Sequence, residues 1–377
     1  MVCGMLRGME RGYGIAMQTL PHLSVTRQNE PGSLPDFGFE TPYRAAFASW
    51  PAGGRPPGYY RLPLPAEAAE FYREQGFLVV EDCLNAAEIA QLRAETVAVC
   101  RGERGAYNGI TEPLPGESDD EVLRRYLCIH FPHKISEVMR GFVAHAAYRE
   151  VLTRLIGPDV KCMQSMLFIK ASGKPGQAWH QDEFFIPTRD RSLTGGWVAM
   201  DDATVENGCL WIHPGSHKPG VLWPQRSNSE SVRDDRFDCT GIAHAFPWRD
   251  EDSVPVEVKA GSIVFFNGYL LHRSLPNYSQ GAYRRVLVNH YMSAASLLPW
   301  RLPKEGESMA TCDDRDILMV AGSDPYPWKP MESRHTAFIR RSGEGGCVDS
   351  RTKLPEPAAT AVSPAMGGAS MGGGRMG

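Results

Sequence analysis

The order of patterns along this chain constrains its fold more than any single motif does. Between residues 66 and 155 the apolar residues recur mostly at helical spacing, and after Gly157 the text changes character. Short β-type runs then follow at 160–169, 196–200, 209–212, 256–258, 262–266 and 283–291, separated by Gly, Pro and Asn turns. A helical stretch followed by many short strands predicts a mainly β protein, a jelly roll with helices packed outside it.

The same patterns divide the chain. Residues 1–60, rich in Gly, Pro and Arg, read as an irregular arm. A principal domain spans 61–303, with a helical layer over 61–157 and a β core over 158–303. Within the layer, 66–76 reads as a short helix stopped by Gly76, and 77–81 as a strand. Asn85 is suited to cap a helix reaching about residue 101, with Ile89, Leu92, Val97 and Cys100 as its apolar face. Residues 119–155 carry two or three more helical patterns. The stretch 220–254 mixes charges, Ser and Trp without periodicity and reads as a long insertion, a length at which loops often act as lids. A C-terminal extension covers 304–354 and a flexible Gly/Met-rich tail 355–377.

Composition narrows the class. A 377-residue chain that is 42% hydrophobic and 22% charged suits a globular protein with a sizeable core. A net charge of −4 without a basic stripe argues against nucleic-acid binding, and no apolar run is long enough to span a bilayer. The cysteines at 3, 83, 100, 128, 162, 209, 239, 312 and 347 form no C-x-x-C pair, which favours free thiols in a reducing compartment. Residues 1–28 lack a secretory apolar core and the chain does not end in Ser-Lys-Leu, so the cytoplasm is the expected location.

The chemistry concentrates at His180, Asp182 and His272. Two imidazoles and one carboxylate are the ligand set of a facial triad, which holds Fe(II) and leaves positions open for a co-substrate and O2. On an extended segment residues i and i+2 share a face, so His180 and Asp182 can reach one ion. His272 ends the apolar run that begins at Phe265. An oxygenase using 2-oxoglutarate also needs a cation for the distal carboxylate of that co-substrate, and an arginine fork suits it. Arg284 and Arg285 follow His272 on the next candidate strand, where only one of the two can face inward. If Val286, Val288 and His290 face inward, Arg284 does too, with Arg285 as the fallback.

These residues sit in stretches that resemble the phytanoyl-CoA dioxygenase family of Fe(II)/2-oxoglutarate oxygenases. The resemblance runs from about Ala66 to Pro299 and is carried by Gln164 to Lys170, Trp179 to Asp182, Trp197 to Trp211, Pro214 to His217, and His272 to Ser279 followed by Arg284 and Arg285. It implies a cupin-like double-stranded β-helix with His180, Asp182 and His272 as iron ligands. It further implies that Arg284 and Ser274 hold the distal carboxylate of 2-oxoglutarate and that Met166 and Trp197 line its pocket. Lys134 matches a family lysine that reaches the co-substrate from the helical layer. The implied reaction is hydroxylation of a small organic substrate, with O2 consumed and succinate and CO2 released. The carboxylate at position 182 speaks against halogenation, because halogenating relatives leave that place to chloride.

Gln164 is a candidate for contact with the substrate or for a hydrogen bond in the core. His213 and His217 flank Pro214 and Gly215, which makes a helical metal pair there a poor reading. Glu206, Asn207 and Gly208 read as a turn, and His130 and His133 fall in a helical context. The competing functional reading is a non-catalytic, cupin-like module that binds metal and 2-oxoglutarate. A zinc hydrolase on the same barrel is a further alternative.

Overall fold

The structure, a computed structural model, describes residues 56–105, 107–226, 228, 234–238, 241–297, 317–329 and 336–341. All of them lie within the compact unit Gly38–Gly377. Most of the expected N-terminal arm and the whole of the expected tail lie outside the described residues.

The first part of the chain forms β1 (Tyr59–Tyr60), α1 (Glu67–Gln75), β2 (Phe77–Val80), α2 (Ala86–Cys100), α3 (Asp119–Arg124), β3 (Tyr126–His130), a 3-10 turn at Pro132–Lys134, α4 (Glu137–Val143) and α5 (Ala146–Leu155). Gly76 ends α1 in the left-handed region at φ 81, returning its N–H to the Tyr72 carbonyl. At the start of α2 the Asn85 side chain accepts the N–H groups of Ala87 and Glu88, and the Glu88 carboxylate answers the Asn85 N–H.

One expectation for this region is widened and one is corrected. The buried face of α2 runs through Leu92, Glu95, Thr96, Ala98, Val99 and Cys100, and Ile89 and Val97, half-buried, pack against the same core. Glu95 is drawn inward because Arg104 grips its carboxylate with two 2.7 Å hydrogen bonds and the Ser136 hydroxyl donates a third. In addition, residues 126–130 form a strand inside a stretch read as helical. Tyr126 to Ile129 are all buried, so no alternation marks the run as β. His130 therefore ends a strand and stacks on the Phe338 ring at 4.3 Å.

The β core comprises β4 (Val160–Lys170), β5 (Gln177–His180), a one-turn helix α6 (Asp182–Phe185), β6 (Thr194–Ala199), β7 (Leu210–Ile212), β8 (Gln225–Arg226), β9 (Ile242–Ala243), β10 (Val254–Val256), β11 (Ile263–Asn267), β12 (His272–Ser274) and β13 (Arg284–Ser293). Beyond it lie β14 (Leu318–Ala321) and β15 (Phe338–Arg341). The main sheet runs β1-β2-β11-β6-β13-β4-β3-β15, with β14 also paired to β4, and the smaller sheet runs β10-β7-β12-β5. This is the jelly roll that the pattern predicts.

The main sheet is buried on both faces, which is why its strands read as continuous apolar runs. Phe77, Val79, Val264, Phe266, Val286 and Val288 join Leu210 and Ile212 of the smaller sheet in an inner core. Their neighbours Leu78, Val80, Ile263, Phe265 and Leu287 pack on the other side with Leu92, Val99, Tyr148 and Leu152 of the helices.

The insertion carries the β8–β9 hairpin. Its Trp223 and Trp248 pack with Trp179, Ala243 and Leu271, so apolar side chains fix it to the smaller sheet. Among the described residues no helix is long and apolar enough to cross a membrane.

Candidate active site

Strand pairing brings the two histidines together. In the smaller sheet β12 lies antiparallel to β5 with His272 directly opposite His180, and the imidazole centroids are 4.1 Å apart. Asp182 is not on the strand, as the i, i+2 reading had it. It opens α6 after Gln181, whose extended backbone (φ −127, ψ 127) keeps the carboxylate on the histidine side. Gln181 fixes that junction, donating to the carbonyls of Tyr269 (2.7 Å) and Val221 (2.9 Å) and accepting the Trp223 N–H (2.8 Å).

One ligand atom from each of the three residues lies within 4.8 Å of the others, and all three residues are buried. Asp182 Oδ1 stands 3.6 Å from Nε2 of both histidines. Neighbouring ligands on a shared ion would be about 3 Å apart, so a small inward movement closes the set. The donor chemistry fits a divalent metal. His180 Nδ1 is 2.7 Å from the Ala178 carbonyl and His272 Nδ1 is 2.9 Å from the Leu270 carbonyl. Each Nδ1 therefore carries the proton and each Nε2 presents a lone pair inward.

Burial, with His272 beside it, pushes the His180 pKa down to about 4, so the ring is neutral at pH 7. Burial works to raise the Asp182 pKa, but His272, His290 and His180 together hold it below the usual carboxylate range. His290 Nε2 lies 3.0 Å from Asp182 Oδ2 and donates to it.

The triad lines a cavity of about 550 Å3 of empty space, open solvent included, and Met166, Lys170, Trp197, Ser274, Arg284 and His290 also border it. Arg284 is 3% exposed, donates Nε–H to the Gly208 carbonyl at 3.1 Å and lies over the Trp197 ring at 5.5 Å. Its terminal nitrogens have no acceptor among the described residues, although burial lowers its pKa only to about 10 and leaves it charged. Arg285 points to the opposite face, where it grips Asp201 with 2.7 and 2.8 Å hydrogen bonds. Ser274 borders the cavity opposite Gln177. The approach of β5 there needs Gly176, since a Cβ on it would sit 2.0 Å from the Ser274 carbonyl oxygen.

Two candidates are not among the residues that border this cavity. Gln164 is buried on β4 opposite His290 but does not border this cavity. Lys134 sits in the 3-10 turn with its ammonium 5.9 Å from the Phe131 ring centroid and is likewise not among the bordering residues. Conversely, His290, Lys170 and Asp238 border the cavity without having been singled out as site residues. His290 was legible as an inward-facing residue of β13, sharing a face with Arg284. Nothing in the sequence places Lys170 opposite Arg284, because the β4–β13 register is set by pairing over a long sequence separation.

Known proteins place the chain in a family. The phytanoyl-CoA dioxygenase (PhyH) family matches residues 72–286, and the chain belongs to it. A phytanoyl-CoA dioxygenase of Arabidopsis thaliana is 34% identical over 154 residues, covering 40% of this chain and 51% of that protein. The peroxisomal phytanoyl-CoA dioxygenase of Bos taurus is 29% identical over 259 residues, covering 61% of this chain and 69% of that protein. The chain thus spans about half the length of the Arabidopsis relative. The fold is shared with a solved non-heme monooxygenase, ThoJ in its apo form, at a TM-score of 0.51 and 21% identity, covering 74% of this chain and 89% of that one.

Proposed function

We propose that this protein is an Fe(II)- and 2-oxoglutarate-dependent dioxygenase that hydroxylates a small organic substrate, with His180, Asp182 and His272 as its iron ligands. The observation that carries the reading is the pairing, in one cavity, of a buried His-Asp-His set with a buried arginine whose terminal nitrogens have no acceptor among the described residues. A metal module alone has no use for Arg284, and an anion-binding pocket alone has no use for the triad. Held by His180, Asp182 and His272, ferrous iron would supply the oxidising chemistry for which O2 and 2-oxoglutarate are consumed, one oxygen atom leaving in succinate beside CO2 and the other in the product hydroxyl.

The chain's own residues do the rest. The backbone carbonyls of Ala178 and Leu270 set the imidazole tautomers, and His290 holds the outer carboxylate oxygen of Asp182. Arg284, steadied by Trp197 and Gly208, receives the distal carboxylate of the co-substrate together with the Ser274 hydroxyl. Met166 and Val288 add apolar side chains to the lining of the same cavity. Membership of the PhyH family and the jelly-roll core support the same reading.

The test is succinate formation by the full chain with Fe(II), 2-oxoglutarate and O2. It is run alongside a mass-spectrometric screen of metabolites for a gain of one oxygen. Both signals are expected to vanish in His180→Ala. Turnover that persists without O2 would contradict the reading and favour a hydrolase.

A further inference from the structure

Lys170 and Arg284 are cross-strand partners in the register of β4 and β13, and both side chains border the same cavity. Like charges directly opposite one another on a sheet face repel. Here the two are also almost fully buried, at 2% and 3% exposure. The hydrogen bonds made by the Lys170 ammonium all go to uncharged oxygens: Leu275 O at 2.7 Å, Ser274 Oγ at 2.9 Å and Gly208 O at 3.5 Å. That Gly208 carbonyl also takes Arg284 Nε–H, so one backbone oxygen serves both cations. Gly208 stands at φ +86, and a Cβ there would come within 2.9 Å of Lys170 Nζ and 2.5 Å of Leu275 O. The turn therefore leaves room for the ammonium.

Burial, and then Arg284 beside it, holds the Lys170 pKa well below the ordinary lysine range, with Asp238 acting in the opposite direction. An arriving anion favours the charged form of both side chains and offsets their mutual repulsion.

We propose that Lys170 is a positioning residue of the co-substrate site: it fixes the Ser274 hydroxyl as a donor toward the distal carboxylate of a 2-oxo dicarboxylic acid and adds a second positive charge beside Arg284. The proposal rests on the dioxygenase reading and deepens it. A hydroxyl has one proton and two acceptor positions. Ser274 Oγ receives Lys170 Nζ–H at 2.9 Å and the Gln177 N–H at 3.3 Å, which occupies both acceptor positions. Its own proton is left to donate, and Ser274 borders the cavity. A carboxylate placed there accepts hydrogen bonds from that hydroxyl and from the two terminal nitrogens of Arg284. A 2-oxo acid with no second carboxylate leaves all of these donors unanswered.

The test uses the Fe(II)-loaded full chain under argon, with binding followed by calorimetry. 2-Oxoglutarate is compared with 2-oxovalerate, which lacks the distal carboxylate. Lys170→Met is expected to weaken 2-oxoglutarate binding about tenfold or more while changing 2-oxovalerate binding less than about twofold. In a Ser274→Ala background the effect of Lys170→Met should shrink, because the lysine acts partly through that hydroxyl. Lys170→Gln keeps a donor for Ser274 and Leu275 without the charge, so it should lose less than the methionine variant and guards against misfolding.

Unchanged 2-oxoglutarate affinity in both variants, or equal loss for the two acids, overturns the proposal and leaves Lys170 as a structural clip for the Ser274–Leu275 turn. Failure of the wild-type, iron-loaded chain to bind 2-oxoglutarate at all would instead overturn the dioxygenase reading.

Discussion

His290 donates its Nε2–H to Asp182 Oδ2 across 3.0 Å, while Asp182 Oδ1 faces both histidine Nε2 atoms at 3.6 Å. The two carboxylate oxygens thus have separate surroundings, one turned to the proposed iron site and one tied to β13. A partner that fixes a ligand in this way typically contributes about 10–100-fold in metal affinity. His290→Ala is accordingly expected to weaken Fe(II) or Co(II) binding within that range while leaving the fold intact. His290→Gln, which retains an N–H donor, should recover part of the loss. Calorimetric titration of the metal against the three proteins checks this, and equal affinities would mean that Asp182 needs no such support.

Arg284 and Arg285 are expected to fail in different ways. Arg284→Ala should keep metal binding and lose about tenfold or more in 2-oxoglutarate affinity, the cost of a charge-assisted, two-pronged contact. Arg285 forms a fork with Asp201 that is mostly withdrawn from solvent, at 16% and 13% side-chain exposure. Arg285→Ala should therefore spare co-substrate affinity and cost about 1–3 kcal/mol of stability. Urea denaturation beside co-substrate titration separates the two effects, and an exchange of phenotypes would show that the strand face is misassigned.

Acid sensitivity has an identifiable source outside the metal site. His213 is buried, stacks on Trp179 at a centroid distance of 4.2 Å, and burial pushes its pKa down to about 3 from the usual 6.5. As pH falls from 6.5 toward 3, the unfolded chain takes up this proton and the folded chain does not, so stability is lost on acidification. His213→Phe keeps an aromatic ring there without the titrating group. The difference in unfolding free energy between wild type and this variant should shift toward the variant as pH drops from 7 to about 4. Comparison against the variant cancels opposing groups such as Glu183, whose pKa burial raises to about 7. A pH-independent difference would contradict the assignment.

Much of the architecture was written in local pattern. Gly76 and Asn85 announced a helix end and a helix start, and the short apolar runs after Gly157 correspond to strands within a few residues. What stayed hidden depends on tertiary partners. Glu95 turns inward only because Arg104 and Ser136 meet it there. The fully buried strand at 126–130 has no alternation to reveal it. At the site, the spacing of His180 and Asp182 suggested a shared face, but the carboxylate opens a helix turn, and the position of that turn depends on Gln181 bridging two distant loops. Strand parity separated Arg284 from Arg285, because alternation is a local property. The placement of Lys170 opposite Arg284 is a register, which the sequence alone does not print.

The central claim, that His180, Asp182 and His272 close on one ferrous ion, is most directly tested by anaerobic Fe(II) titration of the wild-type chain beside His272→Ala. The account predicts one tightly bound ion in the wild type and none, or one bound at least about a hundredfold more weakly, in the variant. Iron binding unchanged by loss of the residue 272 imidazole would contradict it.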